Sequence, residues 1–259
     1  MVAKTIALPN IRELFLPDPG HVILDCDLSG ADAQVVAWEA NDADLKAAFR
    51  RGEAIHVKNL LDVFPEKVPA GLGTKEIKKL HIYHNSKQMA HGTNYAGSPM
   101  GVALAVGWPV REVERFQDRW FTIHPGIKDW HLSLQASLYS EKTPGTIYNQ
   151  WGYRRVYFDR LNDLLPKASA WIGQSTVAIL ARKAMVNVAK NLPWVQFLLQ
   201  VHDSLVFQIP SARMNSSSLK EIHSHLHLPI PYDDPLIIPW SFSWSNESWG
   251  ACEETEWPI

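Results

Sequence analysis

The chain has 259 residues, a formal net charge of −2 and 46% hydrophobic residues, enough to bury a large core as one domain or two lobes. The near-neutral charge argues against a uniformly basic nucleic-acid-binding protein, and no long apolar run predicts a transmembrane helix. The N-terminal stretch has Glu13 soon after its apolar patch and no small-residue cleavage site, so no signal peptide is expected. Two cysteines, Cys26 and Cys252, are too few for a disulfide framework or a four-ligand zinc site, which favours a reducing, cytoplasmic-type compartment.

The charge is unevenly distributed along the chain. From Lys46 to Lys87 there are nine Lys or Arg residues and four acidic ones, whereas the segment from Pro229 onward has six acidic residues and no Lys or Arg. A local basic lobe can bind phosphates even when the whole chain is slightly acidic. A run of charges is more often a solvated face, so this pattern alone does not indicate nucleic-acid binding.

Hydrophobic patterning predicts an α/β fold of the α+β type, with one central sheet and a helical insertion. Residues 21–40 read as an apolar strand, a polar break and then a helix, and a long helix is expected over 75–95 with Thr74 as a possible N-cap. The other predicted elements are a helix and loop in 41–70, helices in 109–140 interrupted at Pro125-Gly126, a hairpin in 145–158, a helix over 166–190 and short strands after Pro229.

The segment LLQVHDSLVFQIP (198–210) places a polar His-Asp-Ser step inside a run with strand composition. Asp203 lies in its middle, where a charge is costly unless a partner offsets it. A tight turn at His202-Asp203 between two strands would lift the carboxylate to the tip of a hairpin. An ordinary polar turn is the simpler interpretation, so a function for Asp203 depends on a second carboxylate that faces the same point.

Asp27 ends a predicted strand in a similar way, 176 residues before Asp203. Two carboxylates at adjacent strand tips would form an acidic site suited to Mg²⁺, which prefers oxygen ligands and keeps waters for substrate phosphates. Two such ions would clamp an in-line phosphoryl transfer. Asp25 shares a strand face with Asp27 by period two, and we interpret it as a flanking structural residue rather than a third ligand.

The segment HNSKQMAHGTNYAGSP (84–99) lies between the two aspartates in sequence. On a helix, Lys87, His91 and Tyr95 follow one another at intervals of four and share a face. An ammonium group, an imidazole and a phenol in a row suit a nucleoside triphosphate, with the charge on the phosphates and a flat ring on the base. A half-exposed helix with a snorkelling lysine explains the same residues, and the pattern leaves both interpretations open.

Taken together, these segments resemble the polymerase domain of family A DNA polymerases, the bacterial polymerase I type and its phage relatives. DLSGADAQ resembles motif A, KQMAHGTNYAG motif B and QVHDSLV motif C, in the family's order. Connecting stretches are similar too: WFTIHPGIKDW after the fingers, WGYRRVYF at the Gly-Arg-Arg hairpin, GQSTVAILARKAM at the Gln-Gly-Thr helix and SNESWGACEE at the final strand. The likeness runs from about Ile11 to about Gly250.

The resemblance implies template-directed DNA synthesis, with Mg²⁺-dependent nucleotidyl transfer from dNTPs to a primer 3′ hydroxyl in a bacterial or phage-infected cytoplasm. It implies two Mg²⁺ ions, replaceable by Mn²⁺, held by Asp27, Asp203 and the Leu28 carbonyl. The other implied contacts are Lys87 on the triphosphate, His91 near the incoming base, Tyr95 by the sugar and template, and Asp32 at the sugar. His202 is implied at the primer terminus, and Gln174, Arg154 and Arg155 on the primer–template duplex.

Five positions depart from the family's motifs. Ser204 stands where the family usually has Glu after the motif C aspartate, and Asp32 and Gln34 replace the Glu and Arg of motif A. In motif B, Tyr83 replaces an arginine and His91 replaces a Phe or Tyr ring. Both metal-binding aspartates and the lysine remain, so we expect an active enzyme whose rate and fidelity these departures put in question.

The resemblance implies a palm built from 1–40 and 145–259, with mainly fingers in 41–144. Only about 26 residues precede motif A, so the thumb and exonuclease-like domains of the family are expected to be absent. We therefore predict a split polymerase, in which a separately encoded protein supplies a thumb, with or without an exonuclease domain. Apolar residues near the N-terminus are candidate contacts, although packing onto the palm explains them equally: Ile6, Leu8, Ile11, Leu14, Phe15 and Leu16.

Two other functions are compatible with the motifs. Single-subunit RNA polymerases share the palm and commonly carry His-Asp-Ser in motif C, but Asp32 supplies an acid where DNA-synthesising relatives place their sugar-selecting Glu. A catalytically idle palm would serve as a DNA-binding or assembly module. Mg²⁺-dependent incorporation on a primed template separates the idle module from an enzyme, and dNTP versus rNTP preference separates the two polymerases.

Overall fold

The computed structural model describes residues 10–158 and 164–254, and these combine helices with antiparallel strands as the sequence predicts. The α-helices are α1 (Ala31–Glu39), α2 (Ala43–Arg50), α3 (Ile55–Val63), α4 (Thr74–Ile77), α5 (His81–Asn94), α6 (Pro99–Val106), α7 (Val110–Ile123), α8 (Pro125–Leu138), α9 (Leu164–Asn191) and α10 (Ser216–Leu226). The β-strands are β1 (His21–Leu28), β2 (Thr146–Tyr148), β3 (Arg154–Val156), β4 (Gln196–Val201), β5 (Ser204–Pro210), β6 (Trp240–Ser245) and β7 (Glu253–Glu254). Within these residues, no helix is both long and apolar enough to cross a membrane.

The main sheet has its first strand at the centre. The strand order is β4-β5-β1-β6-β7, and every neighbouring pair is antiparallel. Val22, Ile23 and Leu24 are consecutive and buried, so both faces of β1 are covered at this end. The register pairs Asp27 with Ser204 of β5 and with Ser241 of β6, which places the polar end of β1 beside the start of β5.

The chain forms two compact units. The first comprises 10–31, 177–230 and 237–254 and contains the main sheet, and the second comprises 32–158, 164–176 and 231–236 and contains most of the helices. The division into a palm (1–40 and 145–259) and fingers (41–144) remains a prediction.

Aromatic side chains build the core of the helical unit. On α7, Phe116 and Trp120 are buried one turn apart and their rings stack with centroids 5.7 Å apart. The Trp120 indole N–H donates to Asn94 Oδ1 at 3.0 Å, so the polar end of the ring is satisfied inside the core. Beside them, the fully buried His124 ring bonds through Nδ1 to Asp42 Oδ2 at 3.0 Å.

The long helix predicted over 75–95 is wrong, because it is two helices. Helix α4 ends at Ile77 and α5 starts at His81, since Leu80 adopts an extended conformation with φ −71° and ψ 138° that interrupts the helical ladder. The N-cap of α4 is Gly73 rather than Thr74, and the Glu76 carboxylate accepts from the Gly73 N–H at 2.7 Å.

The other predicted elements are confirmed, except that the helical part of 41–70 is two helices, α2 and α3. The interruption at Pro125 separates α7 from α8, because proline lacks an N–H and moves the preceding residue, His124, off helical geometry (φ −120°, ψ 66°). The hairpin in 145–158 is β2–β3, the helix over 166–190 is α9 with a few more residues, and the short strands after Pro229 are β6 and β7.

Candidate active site

The main sheet brings the ends of its two acidic strands together. Asp27 is the penultimate residue of β1, and its cross-strand partner on β5 is Ser204, the residue after Asp203. The Leu28 N–H donates to the Asp203 carbonyl at 3.3 Å, which extends the ladder between the strands to the turn itself. Asp27 is exposed and Asp203 half-buried, so both side chains are reachable from solvent.

Asp203 lies in the predicted two-residue turn. Val201 pairs with Ser204, and the turn between them is His202-Asp203. His202 has φ 55°, the left-handed conformation that short hairpins require, and histidine accepts it more readily than β-branched residues. The hairpin interpretation of 198–210 is therefore confirmed, and the His202 ring is exposed at its tip.

The aspartates at this edge of the sheet affect each other's charge. Partial burial raises the pKa of Asp27 to about 6, and the carboxylates of Asp203 and Asp25 add to the shift. The Arg12 guanidinium acts in the opposite direction but does not cancel the effect. A carboxylate whose ionisation is opposed by neighbouring negative charge gains most from a bound cation.

The donor set at this edge suits a hard divalent cation. Carboxylate oxygens are the ligands that Mg²⁺ prefers, and Asp27 and Asp203 present them on adjacent strands. In the part of the chain that the structure describes, no group of three or more His, Cys, Asp or Glu side chains could hold a metal ion. A cation here would therefore have two carboxylates and complete its shell with backbone, water or substrate oxygens.

Asp25 lies on the same strand as Asp27 but is bonded differently. One of its carboxylate oxygens accepts from the Ser204 hydroxyl, and the other accepts from the Trp249 indole N–H at 2.7 Å. Both oxygens are therefore occupied by donors from the protein.

In the helical unit, Lys87 and His91 lie one turn apart on α5, and both are exposed. Tyr95 is the C-cap of α5 rather than part of it, with φ −98° and ψ 30°, and its side chain is buried. The His91 and Tyr95 rings contact edge to face with centroids 4.8 Å apart. Lys87 and His91 therefore share an exposed face of α5, as the sequence predicts. Tyr95 does not share it, because its side chain is buried at the end of the helix.

Tyr95 is packed between Asp32 and α9. Burial raises the pKa of the Tyr95 phenol, and the nearby Asp32 carboxylate raises it further. A Cβ on Gly173 would lie 2.5 Å from the phenol oxygen, so glycine is required there for helix α9 to approach the ring. The structure thus brings together Asp32 and Tyr95, the two residues that the resemblance assigns to the sugar.

His56 on α3 is a candidate that the sequence interpretation missed. Burial lowers the pKa of His56 to about 4, and the positive charges of Lys87, His91 and Lys78 lower it further. Its Nδ1 is buried and has no hydrogen-bond partner among the described residues. The neighbouring positive charges would attract an anionic ligand, and the unsatisfied Nδ1 of the neutral His56 ring could form a hydrogen bond with it. No local motif marks His56, because its neighbours come from another helix.

The β2–β3 hairpin presents its two arginines to solvent. Arg154 and Arg155 are exposed, and the Arg155 guanidinium lies 4.9 Å from the centroid of the Tyr157 ring. Asn149 fixes the turn, because its Oδ1 accepts from the Trp151 and Tyr153 N–H groups at 3.1 and 3.0 Å.

The same asparagine connects the hairpin to α9. Asn149 Nδ2 donates to Ser175 Oγ at 2.9 Å, next to the exposed Gln174. The three residues predicted to contact duplex, Arg154, Arg155 and Gln174, therefore lie on one connected and firmly held part of the helical unit.

Comparison with known proteins decides the family. A family model described as DNA polymerase family A matches residues 3–232. The chain belongs to DNA polymerase family A. Family A relatives include the thermostable DNA polymerase I of Thermus filiformis, 28% identical over 240 residues that cover 88% of this chain and 27% of that protein. DNA polymerase I of Geobacillus stearothermophilus is 26% identical over 210 residues, covering 78% of this chain and 23% of that protein.

A solved family A structure has the same fold. The POL domain of Pol1 from M. smegmatis, in complex with DNA primer-template and dNTP, matches with a TM-score of 0.77 at 21% identity. The match covers 96% of this chain and 44% of that one. This chain spans about a quarter of the length of the polymerase I relatives described above.

Proposed function

We propose that this chain carries out template-directed DNA synthesis, transferring nucleotides from dNTPs to a primer 3′ hydroxyl with Mg²⁺. The observation that carries the proposal is the pair of carboxylates, Asp27 and Asp203, at adjacent strand ends of a family A chain. Support also comes from the family A neighbour, whose structure contains primer-template and dNTP.

The ions would be held by Asp27, Asp203 and the Leu28 carbonyl, which lie together where β1 meets the His202-Asp203 turn. The chemistry that Mg²⁺ supplies when bound is activation of the primer hydroxyl and charge neutralisation on the triphosphate. Ionised Asp27 and Asp203 would fix the position of that charge, and Mn²⁺ would serve in the same site because it accepts oxygen ligands.

Nucleotide binding is assigned to the helical unit. Lys87 and His91 would contact the triphosphate and the base, and His56 would add a neutral hydrogen-bonding group to the same positively charged surface. Asp32 and Tyr95, which lie next to each other, would contact the sugar.

Duplex binding is assigned to exposed polar side chains. Arg154 and Arg155 on the hairpin and Gln174 on α9 would contact the primer–template backbone, and His202 at the β4–β5 turn would support the primer terminus. Phosphate contacts of this kind position a duplex without reading its sequence.

The test is primer extension by the purified chain, with Asp27→Asn, Asp203→Asn and the exposed-site control Asp233→Asn. Wild type and Asp233→Asn should extend a primed template with dNTPs and Mg²⁺, whereas the two site variants should lose incorporation but keep the fold, as judged by circular dichroism. Near-normal turnover in either site variant would contradict the two-metal assignment. A wild type that uses rNTPs preferentially would indicate an RNA polymerase, and one with no incorporation at all would indicate an idle palm.

We further propose that a separate polypeptide supplies additional contacts with the primer–template duplex. This polypeptide would provide a thumb, with or without an exonuclease domain. Support comes from the segment 11–16, where three large apolar side chains are exposed within six residues: Ile11 (68%), Leu14 (77%) and Leu16 (67%). Phe15 instead packs edge-on against Trp249 at 5.7 Å, and the candidate contacts Ile6 and Leu8 lie outside the described residues. The bacterial relatives support a bacterial or phage-infected cytoplasm as the location.

A further inference from the structure

Asp25 connects three segments of the sheet unit. It belongs to β1, its Ser204 partner is the first residue of β5, and its Trp249 partner lies in a 3₁₀ turn after β6. Asp25 pairs with Val206 in the register and Asp27 pairs with Ser204, so the Asp25–Ser204 contact runs diagonally across the two strands. The contact therefore fixes β5 relative to β1 immediately beside the turn that carries Asp203.

Both donors to Asp25 are themselves held in place. Ser204 is buried, and a hydroxyl has a single hydrogen to donate, which here goes to Asp25. The Trp249 ring contacts the Phe15 ring edge to face, and the Arg12 guanidinium lies 4.5 Å from its centroid. The backbone N–H of Trp249 donates to the Phe15 carbonyl at 2.9 Å, which fixes the main chain that carries the indole.

We propose that Asp25 is a positioning residue that acts through Ser204 to hold the Asp203 turn against Asp27, and that it is not a third metal ligand. This inference rests on the proposed function. Each Asp25 oxygen accepts a hydrogen bond from the protein, whereas Asp27 is exposed at the strand end. Because motif C has Ser204 where the family usually has Glu, the carboxylate next to this turn comes from the neighbouring strand instead.

The test measures Mn²⁺ binding to the protein alone, by the electron paramagnetic resonance signal of free Mn²⁺, together with primer extension. Removing the hydroxyl in Ser204→Ala should weaken Mn²⁺ binding about tenfold or more, as is typical when a group that orients a ligand is lost. Ser204→Thr, which keeps a hydroxyl, should retain most of the affinity. Trp249→Phe, which keeps a ring but loses the N–H donor, should weaken binding in the same direction as Ser204→Ala.

A double variant separates positioning from direct ligation. If Asp25 acts through Ser204, Asp25→Ala combined with Ser204→Ala should bind Mn²⁺ as weakly as Asp25→Ala alone. If Asp25 were a direct ligand, Ser204→Ala would leave affinity unchanged or raise it by freeing the carboxylate, which would overturn the inference. Unchanged Mn²⁺ affinity with a lowered melting temperature would show a purely structural role and overturn it too.

Two controls keep the result interpretable. If Asp25→Ala fails to fold, Ser204→Ala and Ser204→Thr carry the test, because they leave the Asp25 carboxylate and Trp249 in place. Wild-type protein that neither binds Mn²⁺ nor extends a primer would overturn the proposed function itself. Active wild type with an unaffected Ser204→Ala variant would overturn only the role of Asp25.

Discussion

At the scale of single residues, the environment of Asp27 disfavours the ionised form of its carboxyl group. Its raised pKa means that the folded protein binds a proton there more readily than the unfolded chain does. Without a cation, the contribution of Asp27 to stability therefore falls as the pH rises from about 4 to about 6. A site that is destabilised by its own ionisation is relieved when a cation binds.

We predict that, in EDTA, Asp27→Asn gains stability relative to wild type as the pH rises from about 4 to about 6, the pKa of Asp27 in the folded protein. The amide removes the repulsion with Asp203 and Asp25 that wild type develops on ionisation. Thermal melts from pH 4.5 to 7.5 measure the difference, and added Mg²⁺ should stabilise wild type but not the variant. A difference that is constant across this range would contradict the assigned charge coupling.

Asp32 is one methylene shorter than the glutamate of the family motif, and it lies beside Tyr95. We predict weaker exclusion of ribonucleotides than in a Glu-bearing relative, because a shorter side chain leaves more room for the 2′ hydroxyl. The measurement is the ratio of dNTP to rNTP incorporation in wild type and in Asp32→Glu, with Asp233→Asn as the control. The ratio should rise in Asp32→Glu, and an unchanged ratio would disprove the prediction.

At the scale of elements, the buried pair of Asp42 and His124 connects the start of α2 to the break between α7 and α8. Asp42 Oδ1 caps α2 by accepting from the Leu45 N–H at 2.8 Å, and Oδ2 bonds to His124. Burial alone would raise the pKa of Asp42, but the hydrogen bonds from His124 and Leu45 prevail and lower it. A lowered pKa stabilises the fold above the ordinary aspartate range, and this contribution is lost at acid pH.

We predict that Asp42→Ala lowers the free energy of unfolding by about 2–4 kcal/mol at pH 7, since it removes a cap and a buried hydrogen bond. The matched control is Asp44→Ala, two residues away. Its side chain is 51% exposed and Lys58 keeps its second partner Asp62, so the change should cost less than about 1 kcal/mol. Urea titrations measure both. The loss of unfolding free energy in Asp42→Ala should become smaller below about pH 4. Equal losses in the two variants at pH 7 would contradict the prediction.

Local patterns predicted the strands and most helices, because alternation, proline and glycine act over a few residues. The break at Leu80 was missed because residues 75–95 have helical composition throughout, and no proline or helix-terminating motif marks the turn at 78–80. Asp27 and Asp203 were identifiable from motifs. The roles of His56 and Asp25 were not, because their partners lie on other elements, 22 or more residues away in sequence.

At the scale of the whole molecule, the chain has a net charge of −2, and only a small group of its exposed basic side chains is proposed to contact duplex. The exposed basic residues proposed to contact DNA are Arg154 and Arg155, and the exposed Arg182 and Lys183 of α9 are further candidates. Each neutralised phosphate contributes about 0.9 to the slope of log affinity against log salt, so a chain with few such contacts binds weakly at physiological salt.

We predict that primer–template affinity falls about a hundredfold between 50 and 200 mM salt, as expected for roughly four phosphate contacts. Arg154→Ala and Arg155→Ala should each reduce the salt slope by about 1, whereas the exposed Arg111→Ala should not. Fluorescence anisotropy across a salt series measures this. Tight, processive extension at physiological salt by the purified chain alone would refute the need for a partner protein.

The central position of β1 also determines when the protein can fold during synthesis. Its partners are β5 and β6, so Asp27 meets Ser204 and Cys26 meets Phe242 only after nearly the whole sequence has been translated. Synthesis adds about 5–20 residues per second, so β1 would remain unpaired for roughly 10 to 40 s before its partner strands are made. Contacts this distant in sequence fold slowly, and an unpaired strand invites aggregation. The carboxylate pair therefore cannot form until β5, which follows Asp203, has been synthesised.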